Sequence, residues 1–352
     1  MKIKQITLGP KIIGFNRPVF IIAEAGVNHN GSLSLAKKLV LEAKRSGADC
    51  VKFQTFKAER VVTLKAPKAA YQLNTTPKGE SQFKMLRKLE LSSSAHKQLL
   101  AFCKKYHIVF LSTPYSTEDV DFLDKLGVPA FKIASGQIVE LQFLRHIALK
   151  QKPILLSTGM ATLKEVAQAV RTIKSAGNDK IILLQCTTNY PSEIEDSNLS
   201  VIAALRKKFN LNVGYSDHTK SLAPSIAAVA LSACVIEKHF TLDKKMSGPD
   251  HSSSAEPNEL AALVSNIRQI EKALGDGIKK PSPSEIKNIR GMRRSVVAKH
   301  PIKAGTLITM DLLCFKRPAT GLSPAFADRL IGKEALCDIP KDSFVSRKDV
   351  RL

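Results

Sequence analysis

Eight short apolar runs, each ending in a polar or ionisable residue, lie between residues 20 and 239 and constrain the fold more than any other feature of the chain. Runs of this length are typical of strands that are buried on both faces, as in parallel sheets. Amphipathic segments suited to helices separate them, for example 33–45, 162–175 and 257–274. The alternation predicts an α/β fold, a (β/α)8 barrel, with strands over residues 20–24, 51–54, 109–113, 131–135, 154–157, 181–185, 213–218 and 235–239.

The chain is longer than one barrel requires. A (β/α)8 barrel takes about 250 residues, whereas this chain has 352. After residue 275 the composition changes to a segment rich in Gly, Pro and Ser, which indicates a linker. Short strands and tight turns follow, with too small a core to be very stable alone. We therefore predict a catalytic barrel over residues 1–275, a linker over 276–293 and a small β-rich domain over 294–352.

Two further segments are expected to cover the ends of the barrel. Residues 2–8 and 11–15 flank Gly9-Pro10, which predicts a hairpin that plugs the bottom of the barrel. Residues 57–84 separate the second strand from the next helix and contain two prolines and a glycine. This pattern predicts a loop over the mouth of the barrel. Loops of this length inside compact domains are usually functional.

Composition narrows the class of protein. Hydrophobic residues make up 44% of the chain and charged residues 24%, as in globular proteins. No apolar run approaches the roughly 20 residues that span a bilayer, so no membrane association is expected. The first residues contain no apolar signal segment, and the six cysteines form no C-x-x-C pair. Both observations favour reduced thiols and a cytoplasmic location.

The net charge of +23 raises the question of nucleic-acid binding. Its cations are spread along the chain rather than gathered in one tract, and no RNA-binding motif or zinc finger accompanies them. We therefore expect no nucleic-acid partner. A basic surface that attracts small anionic substrates explains the same charge.

Two histidines end neighbouring predicted strands, at the end of the barrel where active sites occur in this fold. Strands this close, about 5 Å apart, would allow His218 and His239 to converge on one ion. Two imidazoles with carboxylate and water ligands suit a divalent metal such as Mn²⁺. Histidines that only form hydrogen bonds in the mouth are the alternative. Three carboxylates stand nearby as possible supporting or substrate-binding groups, namely Asp217, Glu237 and Asp250.

Two lysines interrupt otherwise apolar strands. A buried lysine is costly without an anionic partner. With the hydroxyl residues at the same end of the barrel, Lys52 and Lys132 therefore describe a site for phosphate or carboxylate. Structural ion pairs with Glu24 or Asp217 remain the alternative. Glu24 in the same mouth suits a general acid or base, so the residues predict a metal-assisted reaction on a phosphorylated small molecule.

The same runs resemble the sialic acid synthase family. The resemblance covers essentially the whole chain in the family's order. The C-terminal segment around Phe315-Lys316-Arg317-Pro318 resembles the antifreeze-like (SAF) domain of these enzymes. The matching barrel segments are 22–32, 51–55, 111–114, 131–136, 156–160, 215–219, 237–241 and 248–251.

The resemblance implies that the enzyme condenses phosphoenolpyruvate with an N-acylated mannose-type hexose, giving a nine-carbon α-keto acid sugar and phosphate. It assigns the divalent metal, most readily Mn²⁺ but also Mg²⁺ or Co²⁺, to His218 and His239. Phosphoenolpyruvate would be held by Lys52, Thr113, Lys132, Ser135 and Ser157. The sugar side would be lined by Gln54, Asn74, Tyr190, Ser216 and Asp250, and the catalytic groups would be Glu24, Lys52, Lys132 and Asp217.

Arg317 has a separate implied role. By resemblance it reaches from the C-terminal domain into the barrel of a partner subunit, where it contacts the acylamino group. Such a contact implies a domain-swapped homodimer. Two departures from the family pattern, Gln137 and Gln185, stand where relatives often have Glu and His. We expect these amides to change supporting hydrogen bonds rather than abolish activity.

The acceptor sugar is predicted from four segments that resemble the legionaminate-making branch, namely 66–72, 80–83, 88–92 and 186–191. They favour 2,4-diacetamido-2,4,6-trideoxymannose over N-acetylmannosamine. The alternatives are an N-acetylneuraminate synthase and, more remotely, another phosphoenolpyruvate-dependent barrel that uses phosphorylated aldoses. A carbohydrate-binding or scaffolding protein would require missing catalytic positions, and every expected position holds a suitable residue.

Overall fold

The computed structural model describes residues 3–77 and 79–351, apart from the side chain of Asn74. The chain divides into two compact units, Met1–Gly275 and Asp276–Leu352. The first unit holds a two-stranded hairpin and a parallel sheet of eight strands. The hairpin strands are β1 (Ile6–Leu8) and β2 (Lys11–Ile13). The parallel strands are β3 (Phe20–Gly26), β4 (Cys50–Thr55), β5 (Val109–Pro114), β6 (Phe131–Ile133), β7 (Ile154–Ser157), β8 (Ile181–Cys186), β9 (Asn212–Asp217) and β10 (Val235–His239).

The sheet curls into a barrel. Its strand order is β5-β4-β3-β10-β9-β8-β7-β6, with every pairing parallel. The two outermost strands, β5 and β6, lie beside each other. Nearly every strand residue is buried, because side chains on one face fill the barrel and those on the other meet the helices. The predicted (β/α)8 barrel is confirmed.

Helices cover the outside of the barrel and begin at residues suited to cap them. Ser32 accepts a hydrogen bond from the Leu35 N–H at the start of the first long helix, and Thr162 forms a capping box with Glu165. No helix in the described part of the chain is long and apolar enough to cross a membrane. The helices of this unit are α1 (Leu33–Arg45), α2 (Ala58–Val61), α3 (Gln82–Lys88), α4 (Ser93–Lys105), α5 (Thr117–Leu126), α6 (Leu141–Leu149), α7 (Leu163–Ser175), α8 (Ser200–Phe209), α9 (Ala223–Ala230) and α10 (Pro257–Leu274).

The N-terminal hairpin fills the bottom of the barrel, as predicted. Leu8 and Ile13 are fully buried and belong to one apolar cluster with Phe20 and Val235, the first residues of β3 and β10. Gly9 at the turn has a φ of +57° and lies against Val109 and Pro129. Burial of these side chains closes the end of the barrel opposite to the predicted site.

The mouth segment, residues 58–88, is more ordered than the predicted loop. It contains α2, α3 and a 3-10 helix over Ala70–Asn74. Met85 of α3 and Leu89, which caps its C-terminus, pack on Val27 and Phe56, which follow the first two barrel strands. This packing explains why short helices form where the turn residues indicated a loop, since the apolar residues of α3 gain a buried face only in the folded barrel.

The second unit is small and rich in turns. Helix α11 (Pro283–Met292) lies within the segment expected to be a linker, and none of its residues is buried. Strands β11 (Ser295–Ala298) and β12 (Leu313–Lys316) pair antiparallel over a core that includes Val296, Leu330 and Val345. A single antiparallel bridge joins Ile302 and Ile339.

Candidate active site

A cavity of about 360 Å³ opens at the C-terminal ends of the barrel strands. This is the end at which (β/α)8 barrels carry their chemistry. The cavity collects most of the residues that the sequence predicted for the site. They are Glu24, Lys52, Gln54, Thr113, Lys132, Ser135, Ser157, Tyr190, Ser216, His218, His239 and Asp250.

Four buried charges form the floor of the cavity. Lys52 Nζ lies 2.8 Å from Glu24 Oε2 and 3.5 Å from Glu237 Oε2, and Lys132 Nζ lies 3.1 Å from Glu237 Oε1. Lys52 Nζ also donates to Thr113 Oγ1 at 3.1 Å. The side chains of both lysines are at most 6% exposed, so each depends on these partners for its charge. The inner ion cluster, as we call these four residues, unites the predicted anion site with its neighbouring acid.

The pKa values of the two carboxyl groups in the inner ion cluster are shifted in opposite directions. Burial raises the pKa of Glu24 to about 7, although the neighbouring Lys52 opposes that rise. Burial would also raise the pKa of Glu237, but Lys132 and Lys52 together hold it well below its ordinary value. One carboxylate is therefore firmly ionised, while the other can exchange a proton near neutral pH. With Glu24 protonated, two ammonium groups face one carboxylate, and the cluster attracts an anion.

The hydroxyl residues beside the inner ion cluster lie where a phosphate group could be held. Ser135 Oγ accepts a hydrogen bond from the Gly159 N–H at 3.2 Å. A Cβ at Gly159 would come within 2.7 Å of Ser135 Oγ and 2.3 Å of Thr188 Oγ1. Glycine at this position therefore leaves the backbone close enough to bind Ser135 without filling the cavity.

The two predicted metal ligands face the same cavity. The ring centroids of His218 and His239 are 5.5 Å apart, and Tyr190 packs on His218 at 4.2 Å. Burial lowers the pKa of His218 to about 4 and that of His239 well below its ordinary value, so both imidazoles are neutral at pH 7. Neutral imidazole is the form that binds metal ions.

Hydrogen bonding fixes the tautomer of His218. Its Nδ1–H donates to the Thr187 carbonyl oxygen at 2.5 Å, which leaves a lone pair on Nε2. Ser216 Oγ, 3.3 Å from that nitrogen, donates its proton to Glu237 instead. Among the described residues, His239 Nδ1 is buried without a hydrogen-bond partner. These nitrogens fit a divalent metal, and the described part of the chain offers no group of three or more His, Cys, Asp or Glu ligands. The protein would thus contribute two ligands and leave the others to substrate and water.

The wall nearest the mouth segment carries the groups expected on the sugar side. Tyr190 contacts Tyr71 with ring centroids 5.0 Å apart, and both rings line the cavity. Burial alone raises the pKa of Asp250 to about 6. Its loop is held by Ser254 Oγ, which donates to the Asp250 carbonyl oxygen at 2.7 Å. This wall therefore offers aromatic surface together with a carboxyl group that titrates below neutral pH.

Asp217 does not belong to the site, and its prediction as a catalytic residue is corrected by the structure. Its carboxylate faces the helices, where it accepts from Thr219 and Ser225 and pairs with Lys238 Nζ at 2.9 Å. Side chains alternate along a strand, so Ser216 and Asp217 must point to opposite faces. The same alternation places Glu237 on the face of His239, and this signal could have identified Glu237 in the sequence.

Four other predicted residues have separate outcomes. The backbone of Asn74 ends the 3-10 helix of the mouth segment, but its side chain lies outside the described part of the structure. Arg317 belongs to the second unit, is exposed, and donates from Nε to the Met292 carbonyl oxygen. Gln137 lines the cavity and donates to the Tyr115 carbonyl oxygen, whereas Gln185 donates to the Ser197 carbonyl oxygen on the far side of β8.

Known proteins share both the sequence and the fold. The N,N'-diacetyllegionaminic acid synthase of Campylobacter jejuni is 52% identical over 331 residues, which cover 94% of this chain and 99% of that protein. The synthase of the same name from Legionella pneumophila is 45% identical and covers 92% of each chain. A crystal structure of N-acetylneuraminic acid (sialic acid) synthetase from Leptospira borgpetersenii, in complex with citrate, matches with a TM-score of 0.73 at 36% identity, over 81% of this chain and 95% of that one.

Sequence patterns of whole families give the same answer. The pattern of the NeuB family matches residues 39–279, which contain the barrel strands from β4 onward and most of the cavity residues. The pattern of the SAF domain matches residues 293–351, within the second compact unit. A barrel with this site, followed by this small domain, identifies the chain as a member of the NeuB family.

Proposed function

We propose that the protein is an N,N'-diacetyllegionaminate synthase, which condenses phosphoenolpyruvate with 2,4-diacetamido-2,4,6-trideoxymannose and releases phosphate. The observation that carries this proposal is the inner ion cluster, where two buried ammonium groups lie beside two neutral imidazoles at the mouth of the barrel. Membership of the NeuB family and 52% identity to a legionaminic acid synthase support it.

Phosphoenolpyruvate is the anion that the lysines would bind. Its phosphate and carboxylate match Lys52 and Lys132, which lie on neighbouring parts of one cavity with Thr113, Ser135 and Ser157. Charge-assisted hydrogen bonds of this kind are stronger than neutral ones, and they strengthen further where water is excluded. The lysines then hold the phosphate as it departs and stabilise its growing charge.

The acceptor would lie above the phosphoenolpyruvate, with its aldehyde toward the histidines. A divalent cation on His218 and His239, Mn²⁺ in this proposal, would supply the Lewis acid that polarises the aldehyde. The Nδ1–H of His218 stays on the Thr187 carbonyl oxygen and keeps the imidazole oriented. Tyr190 packs against this ring and would shield that side of it from water when the sugar binds.

The proposed reaction forms one C–C bond and breaks the C2–O bond to phosphate. C3 of the enol attacks the aldehyde carbon, and the aldehyde oxygen takes up a proton to become a hydroxyl group. Water adds at C2 and gives up one proton, which leaves a hydroxyl group there. The C2–O bond to phosphate then breaks, the phosphate takes up the proton of this hydroxyl, and a keto group remains. Glu24 lies 2.8 Å from Lys52, and its pKa of about 7 suits it to exchange these protons.

The second candidate is an N-acetylneuraminate synthase that uses N-acetylmannosamine. The 36% identity to an N-acetylneuraminic acid synthetase keeps this candidate open at the level of the acceptor. A synthase for phosphorylated aldoses would need a second phosphate site, and the cationic groups at the cavity floor are already assigned to phosphoenolpyruvate.

A single assay separates these activities. Purified protein with Mn²⁺ and phosphoenolpyruvate is given each acceptor in turn, and phosphate release is measured together with the mass of the product. We expect the largest kcat/KM with the diacetamido sugar. A clear preference for N-acetylmannosamine would make the protein a neuraminate synthase, and a requirement for a phosphorylated acceptor would overturn both readings.

Assembly and location complete the proposal. The resemblance of the segment around Arg317 suggests that the protein acts as a domain-swapped homodimer, in which Arg317 completes the acceptor site of the partner. We place the reaction in the cytoplasm, where phosphoenolpyruvate is made.

A further inference from the structure

One end of the cavity contains residues to which the proposed reaction assigns no role. It lies on the mouth segment, where a pair of glutamine amides stands beside an apolar wall. Gln72 and Gln82 line the cavity together with Val61 and Leu86, and neither amide touches the inner ion cluster. A chain of direct contacts fixes where this end lies relative to the histidines.

That chain of contacts begins at His218. Tyr190 packs on His218 with ring centroids 4.2 Å apart, and Tyr71 packs on Tyr190 at 5.0 Å. Gln72 Nε2 then donates to the Tyr71 hydroxyl at 3.3 Å, and Gln82 Nε2 donates to Gln72 Oε1 at 3.2 Å. An acceptor whose aldehyde faces His218, and whose ring lies along Tyr190 and Tyr71, would direct carbons 4 to 6 toward the two amides.

The two side-chain amides differ in how many of their hydrogen-bonding atoms already have a partner. Gln72 is buried, and its Oε1 already accepts from the Ala69 N–H and from Gln82. Gln72 therefore ties the 3-10 helix to α3. Gln82 is only half-buried, and the described contacts engage just one of its N–H groups. Among the described contacts its Oε1 and second N–H form no hydrogen bond, and because Gln82 lines the cavity they offer an acceptor and a donor side by side.

The apolar wall adjoins these amides. Leu86 lies one helical turn after Gln82 on the same face of α3, so both side chains point to the cavity. Val61 and Leu86 pack against the buried cluster of Val27 and Phe56, which fixes their position. A methyl group would fit this wall better than a hydroxymethyl group, because the wall offers a hydroxyl no partner.

We propose that Gln82 forms hydrogen bonds with the acylamino group at C4 of the acceptor, and that Val61 and Leu86 pack against the methyl group at C6. An acetamido group carries one N–H and one carbonyl oxygen, which pair with the free oxygen and N–H of a side-chain amide. This inference rests on the proposed function, since N-acetylmannosamine has hydroxyl groups at both positions. Gln72 acts as the positioning residue for Gln82.

Three acceptors separate the two contacts. The first is the diacetamido 6-deoxy sugar, the second is its analogue with a hydroxyl at C4, and the third is N-acetylmannosamine. Gln82→Leu keeps the volume of the side chain but removes its donor and acceptor. We expect it to lower kcat/KM about 10-fold or more for the first acceptor, mainly through KM, because the acetamido group is left unpaired. The other two acceptors should change by less than about 2-fold.

Leu86→Ala tests the apolar wall independently. It should lower kcat/KM several-fold for both 6-deoxy acceptors and leave N-acetylmannosamine nearly unchanged, since burial of one methyl group contributes only modestly. The matched control is Gln269→Leu, which changes an exposed glutamine on α10. It should leave kcat/KM unchanged for every acceptor. An unchanged KM for phosphoenolpyruvate in every variant checks that the barrel is intact.

The outcomes are distinguishable. Suppose that the wild-type protein prefers the diacetamido sugar but Gln82→Leu lowers kcat/KM equally for all three acceptors, or for none of them. The assignment of Gln82 is then overturned, and the proposed function stands. If the wild-type protein prefers N-acetylmannosamine, the proposed function fails and the assignment fails with it.

Discussion

Strand β10 contributes to two buried ion clusters, one on each of its faces. The inner ion cluster uses Glu237 with Lys52, Lys132 and Glu24. The outer pair, Asp217 and Lys238, consists of sequence neighbours of cavity residues and lies between the barrel and the helices. Both are almost completely buried. They differ in how fully their hydrogen-bonding capacity is used.

The outer pair is closed. Asp217 accepts from the backbone and hydroxyl of Thr219 and from Ser225, while Lys238 also donates to the carbonyl oxygens of Thr219 and Ser221. The inner ion cluster leaves Glu237 Oε2 at 3.5 Å from the nearest ammonium nitrogen, beyond a good hydrogen bond. Fully satisfied buried networks specify structure, whereas an unsatisfied buried polar group calls for an explanation such as a functional role or a bound water. The contrast favours the inner ion cluster as the functional one.

Removal of the proposed metal, which would act beside the inner ion cluster, should produce the largest effect. We expect exhaustive chelation, or His239→Ala, to lower kcat by about three orders of magnitude, since a Lewis acid supplies several kcal/mol of transition-state stabilisation. Metal content measured by atomic emission should fall in parallel, and Mn²⁺ should restore the chelated protein only. Full activity after complete metal removal would contradict the assignment of His218 and His239.

Matched lysine variants test the contrast directly. Lys132→Met should lower kcat/KM for phosphoenolpyruvate about 100-fold or more, because a phosphate-binding cation is lost. Lys238→Met should leave the activity per folded molecule within about 2-fold but lower the free energy of unfolding by about 3 kcal/mol, because Asp217 stays buried without its cation. Steady-state kinetics and urea unfolding measure the two effects. The contrast fails if Lys238→Met is the variant that loses turnover.

Asp250 gives a pH-dependent test of burial at the acceptor wall. Its pKa is raised from 3.8 to about 6, so the folded state holds the proton more tightly than the unfolded state. Stability should therefore fall as pH rises from about 4 to about 6, and the penalty of up to about 3 kcal/mol should persist at pH 7. Asp250→Asn removes the penalty.

Urea unfolding at several pH values measures this effect. The stability advantage of the Asn variant should grow from about pH 4 to about pH 6 and then become constant. An advantage that does not change with pH would show that desolvation of the Asp250 carboxyl is not its cause.

The smallest effect concerns the second compact unit. Arg317→Ala should lower kcat/KM for the acceptor about 10-fold, as the loss of one charge-assisted contact does. If Arg317 acts on the partner, Arg317→Ala chains mixed with inactive His218→Ala chains should regain part of the activity through hybrid dimers. Mixed dimers demonstrated by mass spectrometry but without regained activity would place Arg317 in cis or outside the site.

The sequence predicted the barrel because its strands are buried on both faces. Such strands are mostly apolar, and several become polar where they reach the mouth, as Ser157 and His239 illustrate. The helices α1 and α10 begin and end at the predicted residues, since their caps and apolar spacing are local signals. Most of the cavity residues follow from these two facts.

The rest depends on contacts between distant parts of the chain. The mouth segment forms α3 because Met85 packs on Val27 and Phe56. This contact between distant residues leaves no signal in the local sequence. Asp217 was expected in the site because it adjoins His218 in the sequence, although alternation along the strand turns its side chain outward. The pairing of Glu237 with both lysines follows only when β4, β6 and β10 come together.

The barrel closes only when β10 pairs with β3, which places Val235 beside Phe20. During synthesis, β3 to β9 leave the ribosome before the strand that joins their two ends exists. A chain that stops before β10 leaves β3 and β9 as long apolar edges, which are prone to associate with other chains. The yield of native protein should therefore depend on how quickly translation passes residue 239, and on chaperones that shield the open sheet until then.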